Sequence, residues 1–375
     1  MPHLPPKEEA VTAKLVLENL KHKPMRSLLS VFLIAVPVTL ILCLVGLSHG
    51  MLADSARRAR GIGADIIVRP PKTSMLTLSG APISEKLVDA IQQKPHVALA
   101  LGMIVHPVTS VTFVSGIDLA GFNQMSGGFK YLEGGPFLGP DDIIVDEYYA
   151  QQHKLHAGDQ VSDILNHRWH VSGIAEGGKL ARLAVPMRTL QDLTGNTGKV
   201  SQIFVKVDRP ANIPAVLAEL KTILPDYNIY TMEEFTSLLT VENVGGLSTF
   251  IDVMVGIGVV IGFAVVLLSM YMAVLQRTRE IGILKALGAS RWFILKIILA
   301  EAVVLGLGGT VVGIGLSFAA RALIQLLYPA SLTQAITPEW WPIAGAISLA
   351  GVLLGALYPG LSAAAQDPIE ALAYE

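Results

Sequence analysis

The chain has 375 residues, of which 52% are hydrophobic and only 15% charged, and its mean hydropathy of +0.54 is more apolar than one globular core needs. The excess belongs in lipid. A formal net charge of −2 with no basic domain or stripe excludes nucleic acid as a partner, and the single Cys43 excludes an internal disulfide framework while saying nothing of the redox compartment.

In chain order, a basic amphipathic segment at 1–26 leads into an apolar run at 27–53. That run exceeds the roughly 20 helical residues that cross a hydrocarbon core of about 30 Å. It is too long for a signal-peptide h-region and has no small-x-small cleavage site behind it, so it should stay as an anchor. Further apolar runs fill 253–276, 302–320 and 340–366. The expected organisation is a first span at 27–53, an outer domain at 54–249, a second span at 250–276 and a connector at 277–296. A third span at 297–327, an outer loop at 328–339, a fourth span at 340–362 and a tail at 363–375 complete it. The fold class is thus an α-helical membrane protein with four transmembrane helices plus a large extracytoplasmic α/β domain.

Lys14, Lys21, Lys23 and Arg26 precede the first span, and Arg277, Arg279, Lys285, Arg291 and Lys296 fill the connector, so both segments should face the cytoplasm, as should both termini. Arg57, Arg58 and Arg60, just past the first span, disagree, although the rule weakens ahead of a long translocated domain. Trp340 and Trp341 suit the outer interface of the fourth span.

In the outer domain GADIIVRPP (63–71) reads as a strand, SEKLVDAIQQ (84–93) as a helix with Ser84 as N-cap, and VTSVTFVSGI (108–117) as an alternating strand. Near its other end QIFVKV (202–207) reads as a strand, Ile213, Val216, Leu217, Leu220 and Leu224 make one helix face, and NIYT (228–231) returns as a strand. Two strand-helix-strand units therefore flank a β-rich insert at about 132–198, whose turns include GGP, HAGD and GNTG.

Chemistry-bearing patterns are few. GIAEGGKL (173–180) has the glycines and Lys of a phosphate loop, but Leu180 stands where a Mg²⁺-binding Ser or Thr belongs, and the strand-like WHVSGI before it opens no helix. It reads as a Gly-rich turn. His153 and His156, like His167 and His170, are three apart, yet HRWH looks like a strand and no Cys or carboxylate stands at ligand spacing, so they read as surface histidines. HExxH, GxSxG and CxxC are absent, which leaves no catalytic constellation and makes an anchored enzyme a poor reading.

REIGILKALGAS (279–290) follows a charge-free run. On a helix Ile281, Leu284 and Leu287 form an apolar stripe with Arg279, Glu280 and Lys285 away from it; Gly288 can end the helix and Ser290 can cap the next. This is either a solvated connector or a docking helix for a cytoplasmic partner. The spans themselves carry Gly309 and Gly313 at small-xxx-small spacing, with Gly306, Gly351 and Gly355 as further close-approach positions. Glu301 lies near enough to the interface that a structural role is favoured over a transport role.

The run QRTREIGILKALGASRWFILKIILAEA (276–302) closely resembles the cytoplasmic connection of FtsX/MacB-type ABC transporter permeases. DPIEALAYE (367–375), LENLKHKPMRSLLSVFLIAV (17–36), GADIIVRP and LHAGDQV (155–161) resemble other parts of that family. Pro37, and the lack of basic residues in LSAAAQ (361–366), depart from its pattern. The resemblance implies a non-catalytic permease in the bacterial inner membrane with its large domain in the periplasm. It implies a separate cytoplasmic ABC ATPase carrying the ATP and Mg²⁺, with no cofactor in this chain. A second copy making a homodimer through the first two spans, a periplasmic adaptor and an outer-membrane channel are implied as further partners. On that resemblance, ATPase docking falls to Arg277, Arg279, Glu280, Ile281, Leu284, Lys285, Leu287, Gly288 and Ser290. Export by mechanotransmission is the leading function, ahead of lipoprotein release and of a signalling module that controls a cell-wall hydrolase.

Overall fold

Apolar helices alternate with polar connections because each helix satisfies its own backbone and each connection needs water. The computed structural model describes residues 15, 16, 18, 21, 24–71, 83–109, 112–244, 246–330 and 332–365. Lys14, Lys23, most of 1–26 and the DPIEALAYE motif lie outside the described residues.

The first described helix, α1 (Pro24–Arg60), continues past Ala53, where the apolar run ends, into the polar SARRAR stretch. There follow β1 (Ile66–Arg69), β2 (Ile83–Ser84), α2 (Lys86–Gln92), β3 (Val97–Pro107), β4 (Phe113–Ile117) and α3 (Leu119–Ser126). The insert supplies β5 (Tyr131–Gly134), β6 (Asp142–Asp146), α4 (Glu147–His153), β7 (Gln160–Ile164), β8 (His167–Ala175), β9 (Leu183–Pro186) and α5 (Met187–Leu193). Then come β10 (Lys199–Val200), β11 (Gln202–Val207), α6 (Ile213–Ile223), β12 (Asn228–Thr231) and α7 (Met232–Ser237). The chain closes through α8 (Leu247–Leu275), α9 (Thr278–Ala286), α10 (Arg291–Leu327) and α11 (Trp340–Ala365). Helices α1, α8, α10 and α11 are long and apolar enough to cross a membrane.

Two compact units result, one of Met1–Leu47, Ser248–Leu323 and Ile336–Glu375, the other of Ser48–Leu247 and Ile324–Ala335. In the second, one sheet runs β12-β1-β11-β3-β4-β9-β6-β8-β5, with β7 pairing β8. β1 and β3 both lie antiparallel to β11, so they are parallel to each other across it, joined through α2. β11 and β12 are likewise parallel across β1 and joined through α6. The first unit thus closes on β3 and not on the 108–117 run, which supplies β4, and the two units are interleaved rather than merely flanking the insert. Strand β3 makes the join to the insert: it pairs β11 from Val97 to Met103 and β4 from Ile104 to Pro107.

Local signals explain these elements. In α6 a proline sits in the first turn, where its missing N–H costs nothing, and Val216 and Leu220 bury one face. Asp118, Asp146 and Thr231 cap α3, α4 and α7 by accepting backbone N–H bonds from Gly121, Tyr149 and Glu234. Ser84 does not cap α2: it pairs with Lys199 in β2, and Glu85 occupies the cap position without a side-chain bond. Within 108–117 the strand begins only at Phe113, and ahead of it Val108 N–H bonds Thr112 O at 2.8 Å. Trp169, wholly buried, centres the core of the insert and donates its indole N–H to Ile164 O at 3.0 Å.

In the other unit, backbones approach where side chains are absent. A Cβ on Gly309 would sit 2.4 Å from Ile34 Cγ2, and one on Gly313 2.8 Å from Val38, so this glycine pair packs α10 on α1 within the chain. Thr39 Oγ1 donates to Gly313 O at 3.1 Å and the Ser30 and Ser269 hydroxyls meet at 2.7 Å, polar contacts between helices where lipid offers none. Gly306 faces Leu349 and Val352, and Gly355 approaches the backbone of α8 at Phe263 O, whereas a Cβ on Gly351 would meet nothing within 4 Å. Trp341 stacks edge-on against Phe318 at 5.9 Å.

Candidate functional site

The connector is built by two caps. Gly288 adopts φ +96°, a conformation that side chains resist, and Ala289 N–H reaches back to Leu284 O while Gly288 N–H reaches Lys285 O, both at 3.0 Å. This closes α9. Two residues later Ser290 Oγ accepts from Phe293 N–H at 3.2 Å and opens α10.

One face of α9 is taken up by its own chain. Ile281 is buried in a core with Val274, Ile294, Ile298, Ala363 and Ala364, and Leu284 packs against it. Lys285 Nζ donates to Ala364 O at 3.0 Å, a cation on the C-terminal end of α11. Arg277 Nη2 binds both carboxylate oxygens of Glu301 at 2.9 and 2.7 Å, and Glu301 is only 1% exposed. A charge so buried needs such a partner, which gives Glu301 the structural role.

The opposite face is open. Arg279, Glu280, Ile283, Ala286, Gly288 and Ser290 are exposed, and Leu287 is 82% exposed. Leu287 is therefore not on the stripe of Ile281 and Leu284. At 3.6 residues per turn a step of six residues rotates about 120° away from the starting face. Of the nine residues expected to dock, Arg279, Glu280, Leu287, Gly288 and Ser290 point outward, whereas Arg277, Ile281, Leu284 and Lys285 hold the chain's own structure. Ile283, and Trp292 in the first turn of α10, are outward apolar residues not among the nine. Ile283 lies about 200° from Ile281, so a full helical projection finds it.

The other patterns resolve without chemistry. GIAEGGKL ends β8 and turns: Gly178 and Leu180 have φ +108° and +60°, and Lys179 Nζ donates to the carbonyls of Ser126 and Gly128. His167 Nε2 meets Asp141 at 2.9 Å and His170 Nδ1 meets Asp142 at 3.0 Å; His153 stacks on Tyr149. No group of three or more His, Cys, Asp or Glu able to hold a metal occurs among the described residues. Arg57 and Arg58 both bind Asp54, and Arg60 bonds Thr236 Oγ1 at 3.0 Å. Arg182 joins that network, with Asp146 at 2.7 Å and Asp54 at 3.2 Å, and burial pushes the Asp146 carboxyl up against the pull of Arg182. Each arginine that disagreed with the orientation rule thus has a partner within the chain, with Arg57 and Arg60 still exposed to solvent.

Comparison with known proteins identifies both halves. Residues 27–223, just over half of the chain, match the MacB-like periplasmic core domain, and residues 253–368 match the FtsX-like permease C-terminal domain. The chain is 33% identical over 208 residues to the ABC transporter permease YknZ of Bacillus subtilis, covering 52% of this chain and 50% of that one. It is 27% identical over 385 residues to the macrolide export ATP-binding/permease protein MacB of Hahella chejuensis, covering 94% of this chain and 58% of that one. The chain thus spans about half the length of these relatives. The solved periplasmic region of MacB from Actinobacillus actinomycetemcomitans aligns with a TM-score of 0.37 at 15% identity, over 50% of this chain and 97% of that one. With both a MacB-like core domain and an FtsX-like permease domain in one polypeptide, the chain belongs to the FtsX/MacB family of ABC transporter permeases.

Proposed function

We propose that the chain is the membrane subunit of an ABC transporter in which a separate ATPase docks on the open face of α9. What supports this reading is the division of the helix. Ile281, Leu284 and Lys285 lock α9 to the ends of α10 and α11, while Arg279, Glu280, Ile283 and Leu287 present a mixed apolar and charged surface. A helix fixed on one side and sticky on the other can transmit a push. A solvated linker would need neither property.

ATP binding closes a pair of ATPases, draws two docked connectors together and biases the outer domain between two arrangements. To move such an element from 1:99 to 99:1 takes about 5.5 kcal/mol of differential binding, within the reach of nucleotide binding. The motion is transmitted without passage of substrate through the spans. In support, Glu301, buried in the third spanning helix, is held by both carboxylate oxygens to Arg277. A second copy completes the pair. Only 17% of the most apolar stretch of α8 is buried, against 39% to 44% in the other spanning helices, which leaves α8 with surface for such a contact.

Export is the function we favour, with a periplasmic adaptor and an outer-membrane channel, on the model of the relative named for macrolide export. The test is affinity co-purification in mild detergent of wild type, Glu280→Lys and Leu287→Asp. An ATPase that accompanies wild type and is lost from both folded variants carries the reading. An ATPase retained by both places docking elsewhere, and no ATPase with wild type removes the transporter assignment proposed here.

A further inference from the structure

The outer unit contains a feature that ATPase docking does not use. A cavity of about 160 Å³ opens into its core between the C-terminal end of α1 and strands β1, β3, β4 and β11. Protein interiors hold few voids larger than a water molecule, so an opening of this size within a packed core asks for an occupant.

Its lining has two parts. Met103, Phe113, Phe204 and Phe235 form apolar walls, and the Arg58 and Arg69 side chains supply two positive charges, with no carboxylate among the described lining residues. Arg69 is only 2% exposed and its guanidinium lies 5.4 Å from the centre of the Phe235 ring. Burial pushes its pKa below the usual arginine range, which means that the site disfavours the cation it holds. Arg58 is anchored by Asp54 and by Ser55 Oγ at 3.4 Å, but Asp54 is shared with Arg57 and with Arg182, which also holds Asp146, so three guanidiniums draw on two carboxylates. Positive charge is in excess where water is scarce. An anion entering there would be stabilised by both arginines, and guanidinium is the side chain whose fork matches carboxylate and phosphate oxygens.

We propose that this cavity binds a small anionic amphiphile, its carboxylate or phosphate group held by Arg58 and Arg69 and its apolar body lying along Met103, Phe113, Phe204 and Phe235. A cavity of about 150 Å³ takes one benzene-sized group, so the body is a single ring or a short acyl chain. The proposal is independent of ATPase docking on α9. It gives the outer domain a ligand of its own.

The experiment is isothermal titration calorimetry of the full chain in phosphatidylcholine nanodiscs with phenylbutyrate, phenyl phosphate, phenylbutylamine, phenylbutanol and inorganic phosphate. The expected result is saturable binding of the amphiphilic anions at one site per chain, about tenfold or more tighter than the amine, the alcohol or phosphate alone, the scale of one charge-assisted hydrogen bond. Preference between phenylbutyrate and phenyl phosphate identifies the headgroup. Arg69→Gln is expected to weaken binding about tenfold. Because that variant can also disturb folding, Ala181→Phe, which fills the cavity and keeps both arginines, is the second arm and should abolish binding. Absence of saturable binding to wild type, equal binding of the amine, or unchanged affinity in Ala181→Phe would each overturn the proposal.

Discussion

At the C-terminal end of α1, Arg57 and Arg58 turn to Asp54 and Arg60 turns to Thr236, whereas on α9 Arg279 stays exposed beside an exposed Glu280. Both stretches adjoin spanning helices and both look basic in a count of residues. The difference lies in the partner each charge has already found within the chain. Charges closed into buried pairs are structural and cost stability when half of the pair is removed; exposed charges contribute little to stability and remain available to another protein. Arg277 shows that the distinction runs within the connector too, since it binds buried Glu301 while its neighbour two residues on faces outward.

The sharpest way to break this contrast is to remove a shared acceptor. Asp54→Ala strands Arg58, while Arg57 is solvated and Arg182 keeps Asp146, and should cost about 3 kcal/mol in denaturant unfolding; Glu301→Ala, by stranding Arg277, should cost about 3–5 kcal/mol, whereas Arg279→Ala should fall within about 0.5 kcal/mol of wild type. Equal effects of the three would erase the contrast. Next in size, Gly309→Val drives a side chain into Ile34 and should cost about 1–3 kcal/mol in a thermal melt in detergent. Gly288→Val forces a branched residue to φ +96° and should cost about 1–2 kcal/mol, seen as faster amide exchange in the last turn of α9.

Smaller still is the Asp142 site. Burial would raise this carboxyl, but N–H bonds from Leu138 and Gly139 and the neighbouring His170 hold it below the usual range. A carboxylate depressed in the folded state stabilises the protein above its unfolded pKa of about 3.9, and that gain is lost as pH falls through the folded value. Asp142→Asn should therefore cost about 1 kcal/mol at neutral pH, with the difference from wild type vanishing in strong acid. An unchanged difference below the carboxylate range would contradict the assignment. Glu280→Lys should be as mild as Arg279→Ala, within about 0.5 kcal/mol of wild type in stability.

Periodic features were legible in the sequence. The apolar runs, the face of α6 and the Gly288 and Ser290 caps depend on neighbours within a few residues, and local spacing carries them. β3 was not legible. Its 100–105 stretch is buried on both faces, so it lacks the alternation that marks a half-buried strand, and its partners lie in distant parts of the chain. Pairing of Arg182 with Asp54 spans 128 positions and has no local trace. The phase of Leu287 on α9 was misplaced for a different reason: steps of three drift around a helix whose repeat is 3.6, so only the first two members of the stripe share a face.

The most direct test of the division within the connector is site-specific photo-crosslinking in intact cells from position 287 and from position 284. A crosslinker at the exposed Leu287 site should yield an adduct with a nucleotide-binding protein, and one at the inward Leu284 site should yield none beyond the chain itself. Adducts to that partner from 284 alone, or equally from both positions, would contradict the claim that α9 keeps one face for its own core and offers the other to an ATPase.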